Sequence, residues 1–292
     1  MYAVTGATGQ FGRHAIAALL KRASPNEIVA LARDPAKATD LAEGGIAVRP
    51  FDYDAPDRLA ASLSGVTRLL FVSSDTPDRR VAQHKAVIDA AAQAGVAIIA
   101  YTSIIHADAN PISLAESHRE TERLIAASGI AHAILRNSWY IENHLIGAEA
   151  AITHGVLLGS TGDGPISAAT RADYAEAAAA VLTEAPGPNR VYELAGDEAF
   201  TLSDVAAALS DAAGRSVEYR NLPEAEYREA LIGAGVPADF AAALAEYSAK
   251  AASGILADES RTLSGLIGRP TETLRATVLR TIGSAAPSAN AR

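Results

Sequence analysis

The sequence opens with Tyr2-Ala-Val-Thr5-Gly6-Ala-Thr-Gly9-Gln-Phe-Gly12, and an apolar run follows over residues 15–20. We interpret this stretch as a buried strand, a glycine turn and a helix. Glycines at this spacing let the backbone turn tightly, approach a pyrophosphate closely and pack the new helix on the sheet, while the first N–H groups of the helix face the anion. The stretch therefore predicts a dinucleotide site, and the strand and helix on either side favour this over a purely structural glycine-rich turn.

The second part of the signal is a basic residue at the end of the next predicted strand, residues 27–31. NAD-binding folds keep an acid about 20 residues after the glycines, where it binds a ribose hydroxyl. Arg33 stands at that place; its guanidinium can fork onto a 2′-phosphate, and Lys37 adds a second positive charge. We therefore predict NADPH as the cofactor. The alternative is that Arg33 and Lys37, on either side of Asp34, are solvent-exposed side chains at the start of a helix and bind no cofactor.

Composition limits the classes of protein and partner. The 292 residues carry a net charge of −9 and are 49% hydrophobic, which suits a globular protein and opposes nucleic acid as a partner. Cysteine is absent, so a disulfide framework and a thiolate nucleophile are excluded. The first residues already read as core strand, and no run approaches the roughly 18 apolar residues of a membrane span. We expect a cytoplasmic enzyme with no membrane partner.

Short apolar runs alternate with helical patterns up to about residue 135, which predicts βαβ units and an α/β fold with a doubly wound parallel sheet, the Rossmann arrangement. The predicted strands are residues 3–5, 28–31, 46–48, 69–72, 98–102 and 132–135. Ligands collect at the carboxyl ends of such strands. The polar or aromatic residues that follow them are Arg33, Asp52, Tyr53, Ser73, Ser74, Asp75, Thr102, Ser103, Asn137, Ser138, Trp139 and Tyr140.

Beyond residue 140 the alternation fails, and we expect a smaller, mostly helical substrate-binding or lid part. Possible capping boxes stand at Thr170 with Asp173 and at Thr201 with Asp204. The predicted elements are a short strand at 155–159, a turn at 162–165, helices at 170–185, 201–213, 224–234 and 239–250, a return to the sheet at 190–194 and a frayed end at 284–292. The predicted domains are 1–145 and 146–292, with 170–195 packing back on the Rossmann sheet.

Six stretches resemble the NmrA-like branch of the atypical short-chain dehydrogenases, and most of all its NADPH-dependent quinone oxidoreductases. They are Val4-Thr-Gly-Ala-Thr-Gly-Gln10, Ala32-Arg-Asp-Pro-Ala-Lys37, Tyr101-Thr-Ser-Ile-Ile-His-Ala-Asp108, Leu135-Arg-Asn-Ser-Trp-Tyr140, Thr170-Arg-Ala-Asp-Tyr174 and Tyr192-Glu-Leu-Ala-Gly196. The resemblance covers nearly the whole chain. It implies NADPH as hydride donor and small quinones as acceptors. The cofactor residues that the motifs and the resemblance indicate are Gly6, Ala7, Thr8, Gly9, Gln10, Phe11 and Gly12 at the pyrophosphate, Arg33 and Lys37 at the 2′-phosphate, Ser73, Ser74 and Asp75 at the adenosine, and Asn137, Ser138, Trp139, Tyr140, Ile141 and Glu142 at the nicotinamide.

The sequence departs from ordinary short-chain dehydrogenases at the proton donor. Ser103 or Thr102 stands where their serine would be, but His118 and Glu122 replace the expected Tyr and Lys. Reduction of a plain carbonyl gives an alkoxide that needs an acid, whereas a quinone gives a delocalised hydroquinone anion that takes its proton from water. Orientation and a donor near the developing anion then suffice. The candidate catalytic residues are Asn137, Tyr140 and His118, with Trp139 as an aromatic wall.

Several alternatives stay open at this point. Trp139 and Tyr140 are equally well explained as core aromatics. A lone histidine such as His106, His118 or His144 is more often structural than catalytic. We predict no metal, because no histidine or carboxylate cluster has ligand spacing, and no Gly-x-Ser-x-Gly elbow supports a hydrolase. A cofactor-binding redox sensor, or a reductase of dyes or azo compounds, is the alternative function, and the oligomeric state is left open.

Overall fold

The computed structural model describes residues 1–184 and 189–283, which form nine strands. They are β1 Tyr2–Val4, β2 Ile28–Ala32, β3 Ala47–Pro50, β4 Arg68–Phe71, β5 Ile98–Ile104, β6 Ala131–Asn137, β7 Val156–Gly159, β8 Arg190–Leu194 and β9 Glu218–Asn221. Seven of them make one parallel sheet in the order β3-β2-β1-β4-β5-β6-β8, and β7 pairs with β9 in a second, parallel sheet. The predicted fold class is confirmed. The direction of winding reverses between β1 and β4, where such a sheet opens a crevice for ligands.

Thirteen α-helices are present in the described residues. They are α1 Gln10–Leu19, α2 Thr39–Glu43, α3 Pro56–Ser62, α4 Arg80–Ala94, α5 Leu114–Ala127, α6 Ile141–His144, α7 Ala148–His154, α8 Arg171–Thr183, α9 Leu202–Ala213, α10 Glu224–Gly233, α11 Ala238–Ala251, α12 Thr262–Ile267 and α13 Leu274–Gly283. Short 3₁₀ turns lie at Pro25–Glu27, Pro35–Ala38 and Pro77–Arg79. In these residues, no helix combines the length and apolarity needed to cross a bilayer.

The core consists of layers on both faces of the large sheet. On one face α1 and α8 pack together, because small alanine side chains make up much of the buried face of α8 and bring the two helix axes close. On the other face α3, α4 and α5 cover the strands. A third apolar cluster lies between α9, α13 and the segment after β6. Strand β8 pairs with β6, so this part of the chain joins the sheet, while the proposed division at residue 145 stays a prediction.

The helix predicted at 170–185 begins as expected, with Thr170 as its N-cap: Thr170 Oγ1 accepts the Asp173 N–H at 3.1 Å. The complete capping box predicted there is wrong. The Asp173 carboxylate instead accepts from the Thr170 hydroxyl and from the Glu272 N–H, which ties the start of α8 to the C-terminal segment. The box at Thr201 and Asp204 is present. The end of the predicted helix, residue 185, and the frayed end predicted at 284–292 lie outside the described residues.

Candidate functional site

The glycine turn between β1 and α1 has a geometry that favours glycine at Gly6 and requires it at Gly12. Gly6 has a φ of +59°, and a Cβ on Gly12 would lie 2.2 Å from the Gly6 carbonyl oxygen. Gly9 is the N-cap of α1 and donates its N–H to the Gly6 oxygen at 2.9 Å. The following N–H groups at the start of α1 have no partners within the helix. The turn therefore presents backbone donors at close range to a phosphate.

A groove of about 550 Å³ runs from this turn along the carboxyl ends of β1, β2 and β4. The predicted cofactor residues that line it are Gly6, Thr8, Gly9, Gln10, Phe11, Gly12, Arg33, Lys37, Ser73, Ser74 and Asp75. Ala7 lies buried beneath the turn. Further lining residues, which were not among the predicted cofactor residues, are Asp34, Phe51, Asp52, Tyr53, Asp54, Val72, Thr76, Gln83 and Arg171. The structure thus brings the first three predicted groups together in one groove.

The end of the groove after β2 holds two exposed basic side chains, Arg33 and Lys37. In the described part of the chain neither forms an ion pair. The Asp34 carboxylate, which could have neutralised Arg33, accepts the N–H of Ala36 at 3.1 Å as a cap. On α1, Arg13 donates to the Lys37 carbonyl at 2.6 Å and so fixes the turn that carries Lys37. Two unpaired cations are therefore available to a phosphate here.

The loop after β4 is held from below by buried polar groups. Thr102 Oγ1 accepts the Ser73 N–H, and His84 Nε2 accepts the Ser74 N–H, each at 2.9 Å. Since Nε2 is an acceptor, the proton is on Nδ1, which faces Thr121 Oγ1 at 2.8 Å. Burial lowers the pKa of His84 to about 2, with smaller contributions from His118 and Arg80. A neutral histidine thus shapes the wall of the groove.

Asn137, the last residue of β6, begins the segment predicted to bind the nicotinamide, residues 137–142. It is buried, and neither its amide nitrogen nor its amide oxygen has a hydrogen-bond partner in the described residues. The Tyr140 hydroxyl is its polar neighbour: burial raises the pKa of Tyr140, while the Asn137 amide and Arg171 oppose that rise. Buried amides without partners are costly. At the carboxyl end of a strand, such an amide is suited to a ligand that offers both a donor and an acceptor.

Trp139 and Tyr140, the two aromatic residues that follow Asn137, pack in different parts of the structure. Tyr140 packs against Phe11 of the glycine turn, with ring centres 6.3 Å apart, and the Arg171 guanidinium carbon lies 4.6 Å from its ring centre. Trp139 packs against Tyr247 of α11 at 6.1 Å. Tyr140 therefore lies near the glycine turn, and Trp139 contacts the helical part of the chain.

The other members of the segment bind protein groups. The Ser138 hydroxyl donates to the Leu256 carbonyl at 2.8 Å, Ile141 is buried, and Glu142 accepts the backbone N–H of Arg171 at 2.9 Å. None of residues 137–142 is part of the groove lining described above. Their assignment to the nicotinamide stays a prediction.

His118 lies under the sheet rather than in the groove lining. It is buried on α5 with Nδ1 2.8 Å from the Tyr101 hydroxyl, and burial, reinforced by Arg80, lowers the pKa of His118 to about 3. It is neutral near pH 7. A neutral imidazole held by a buried tyrosine is a poor candidate for an acid, although the role of His118, like those of Asn137 and Tyr140, stays a prediction.

Ser103 and Glu122, which stand at two of the positions expected to carry carbonyl chemistry, bind each other. The Ser103 hydroxyl donates to Glu122 Oε1 at 2.5 Å, and Glu122 pairs with the buried Arg136 guanidinium at 2.6 Å. Arg136 also pairs with Asp108 and Glu193, at 2.8 and 3.0 Å. Ser103 and Glu122 therefore belong to a network of ion pairs and hydrogen bonds centred on Arg136.

His106 and His144, the other two histidines considered from the sequence, contact protein groups. The His106 ring lies 3.1 Å from the Ala257 carbonyl oxygen, and His144 packs edge-on against Phe200, where burial lowers the pKa of His144 to about 4. Within residues 1–184 and 189–283, no group of three or more histidine or acidic side chains is arranged to hold a metal ion.

Part of the groove is not predictable from local sequence. Asp52 and Tyr53 stand at a strand end, but the contacts of Tyr53 are found only in the structure: its hydroxyl donates to Thr5 Oγ1 at 2.6 Å and to the Val72 carbonyl at 2.8 Å, which links the ends of β1, β3 and β4. Arg171 lies within one of the six resembling stretches, yet nothing in its spacing indicates that α8 reaches the glycine turn. Only the packing of α8 on α1 brings it there.

The chain belongs to the NAD(P)H-binding family, which matches residues 6–185. It is 50% identical to quinone oxidoreductase 2 of Escherichia coli K12 over 278 residues, covering 95% of this chain and 97% of that protein. The crystal structure of the E. coli NADPH-dependent quinone oxidoreductase in complex with NADPH superposes with a TM-score of 0.94 and covers 96% and 99% of the two chains. The resemblance drawn from the sequence is confirmed.

Two further relatives reduce other acceptors. The chain is 32% identical to an NAD(P)H azoreductase of Xenophilus azovorans, over 94% of this chain and 95% of that one. The Citrobacter triphenylmethane reductase, solved with NADP(H), has a TM-score of 0.92 at 34% identity and covers 97% and 100% of the two chains. Family membership and the glycine turn together identify a nicotinamide dinucleotide as the cofactor. The close approach at Gly12 and the unsatisfied Asn137 amide both fit such a group.

Proposed function

We propose that this protein catalyses the NADPH-dependent, two-electron reduction of small quinones to hydroquinones. The observation that carries the proposal is the 50% identity to quinone oxidoreductase 2 over 95% of the chain. The unpaired Arg33 and Lys37 at the end of β2 support NADPH over NADH, because a 2′-phosphate would meet two cations there.

The balanced reaction is quinone plus NADPH plus a proton giving hydroquinone plus NADP⁺. The bound nicotinamide supplies a hydride to the quinone. The product anion is stabilised by its aromatic ring, so the protein has no need of a strong buried acid, which agrees with a neutral His118. Ser103 and Glu122 are likewise engaged in ion pairing rather than in proton transfer.

The residues of the chain then have positioning roles. Asn137 provides a donor and an acceptor for the nicotinamide amide, and this would satisfy its two unpartnered atoms. Tyr140, packed between Phe11 and Arg171, forms the wall beside it and is the candidate donor to the developing anion. Orientation and electrostatic stabilisation are the main sources of rate in such a site.

A second candidate, reduction of azo compounds or cationic dyes by the same hydride donor, is favoured by the similarity to the azoreductase and the triphenylmethane reductase. These acceptors share with quinones a conjugated system that delocalises the product charge. The two candidates differ in acceptor only, so one panel of acceptors separates them.

The test follows NADPH absorbance with purified protein, with 1,4-benzoquinone, a small naphthoquinone, an azo dye, a triphenylmethane dye and an aliphatic ketone, after subtraction of the uncatalysed rate. We expect quinones to give the highest kcat/KM, the ketone to give none, and little semiquinone radical by electron spin resonance, because hydride transfer moves both electrons together. Metal chelation should not change the rate.

The alternative outcomes have distinct meanings. Higher kcat/KM with a dye than with any quinone would assign the enzyme to the second candidate. Tight NADPH binding with no acceptor accelerating its oxidation would overturn both and support a redox sensor. Cytoplasmic location, which the absence of cysteine favours, stays a prediction to be tested by fractionation.

A further inference from the structure

Arg171 is a cation at the glycine turn to which no role has been given so far. It is the first residue of α8, and its side chain lines the same groove as Gly9, Gln10 and Phe11. The side chain is 15% exposed, so it reaches the groove with most of its length covered by protein. Its position results from the packing of α8 against α1.

The guanidinium of Arg171 is held in one orientation. Its carbon lies 4.6 Å from the ring centre of Tyr140, its Nη2 donates to Asn143 Oδ1 at 2.5 Å, and its Nη1 lies 3.5 Å from the Glu142 carboxylate. These contacts occupy only part of a group with five N–H donors. A cation that is fixed on an aromatic face and keeps free donors is ready to bind an anion without first losing side-chain entropy.

The charges around the groove indicate which anion this is. The other basic residues of the lining, Arg33 and Lys37, follow β2, on the side expected to bind the 2′-phosphate. At the glycine turn the expected anion is the pyrophosphate. The carboxylates in the lining, Asp34, Asp52, Asp54 and Asp75, would repel that group. Arg171 is the basic side chain of the lining beside the turn.

We infer that Arg171 binds the pyrophosphate of the nicotinamide cofactor and, with the glycine turn, closes around it from the opposite wall. The backbone N–H groups at the start of α1 meet the phosphates from one side, and the Arg171 fork meets them from the other. The inference depends on dinucleotide binding alone, so it can fail while the quinone reaction is upheld, and the reverse.

The test compares Arg171→Ala, Arg171→Lys and Arg33→Ala, with Arg228→Ala on exposed α10 as the matched control. Binding of NADPH and NADH is measured by calorimetry, and adenosine 2′-monophosphate, which has a 2′-phosphate and no pyrophosphate, by displacement of NADPH. We expect Arg171→Ala to weaken NADPH and NADH by the same factor, about ten- to a hundredfold, and to leave adenosine 2′-monophosphate unchanged. Arg171→Lys should keep part of the affinity, because it retains the charge without the fork.

Three results would overturn the inference. The first is unchanged affinity for both dinucleotides in Arg171→Ala. The second is a loss for NADPH alone, which would place Arg171 at the 2′-phosphate. The third is an equal loss for all three ligands with a lowered Tm of the free protein, which would reduce Arg171 to a structural partner of Glu142. A loss that shrinks as salt is raised, with the Tm unchanged, supports the inference, since salt screens the attraction between a cation and a phosphate.

Discussion

Replacement of Asn137 by leucine tests whether the unsatisfied amide exists for a ligand. Leucine has the same number of side-chain heavy atoms in a similar branched shape, so the change removes polarity; its methyl groups are bulkier than the amide oxygen and nitrogen, and tighter packing offsets part of any gain. In the free protein both polar atoms of the Asn137 amide are buried and form no hydrogen bond of normal geometry, although the Tyr140 hydroxyl is near enough to interact with the amide. A buried group in this state costs about 1–3 kcal/mol. Asn137→Leu should therefore make the free protein more stable, which is unusual for a substitution in a strand of the central sheet.

The size of the gain is limited by the neighbouring hydroxyl of Tyr140, which interacts with the amide. We expect a gain of about 1–2 kcal/mol, at the low end of the cost of two unsatisfied groups. For a chain of 292 residues that corresponds to roughly 2–3 °C in Tm. With the cofactor present the sign should reverse, because the amide then finds its partners and leucine cannot replace them. We expect NADPH affinity and kcat to fall together, the latter by about tenfold or more.

The assay is thermal unfolding of both proteins with and without NADPH, combined with steady-state kinetics on a quinone. If the amide serves to bind the cofactor, the leucine variant should have the higher Tm without NADPH and the lower Tm with NADPH. A leucine variant that is less stable without NADPH, or one that binds NADPH and turns over like the parent, would refute the reasoning. Asn137→Asp is a useful companion, because it keeps the acceptor and removes the donor.

Two other predictions follow from charge. Arg33→Ala should weaken NADPH about ten- to a hundredfold and leave NADH nearly unchanged, because a charged hydrogen bond to the 2′-phosphate contributes about 1.5–3 kcal/mol; equal losses in nicotinamide fluorescence titrations would show that Arg33 does not select the cofactor. Burial lowers the pKa of His84 to about 2 and that of His118 to about 3, from 6.5. The unfolded chain therefore takes up protons below pH 6.5 that the native protein does not, and each histidine should cost about 2 kcal/mol of stability by pH 5. Urea unfolding at pH 7.5 and 5 checks this, and an unchanged free energy of unfolding would mean that these rings are protonated in the native state.

The sequence was most informative where local chemistry decides structure. The glycine turn, the parallel sheet and Arg33 at the end of β2 depend on spacing and periodicity, which a single sequence displays. Gly12 is a good example, because its need for hydrogen in place of a side chain arises from Gly6, six residues away. The two-stranded sheet of β7 and β9 was half predicted: β7 was expected, but β9 has little apolar alternation and is recognised only through its partner.

Contacts between distant parts of the chain could not be predicted. Nothing in the local pattern says that Arg171 lines the same groove as Phe11, or that Asp173 receives the N–H of Glu272 from 99 residues further on. The orientation of polar residues is equally invisible: His118 sits at the position expected for a proton donor, yet the fold turns it toward Tyr101 under the sheet. A residue type at a familiar position predicts a location along the chain, and packing decides what the side chain contacts.

The ion pairs of Arg136 also bear on how this chain could change its chemistry over evolutionary time. Acquiring the Tyr and Lys of ordinary short-chain dehydrogenases would require a lysine in place of Glu122, beside a guanidinium that is only 8% exposed. Losing one partner of a buried pair costs about 3–5 kcal/mol, and the new charge would add repulsion. Such a lineage would have to replace Arg136 first, at a cost to Asp108 and Glu193, before the catalytic substitution offered any advantage. The buried ion pairs of Arg136, more than the groove residues, therefore oppose a change to acceptors whose reduction needs an acid.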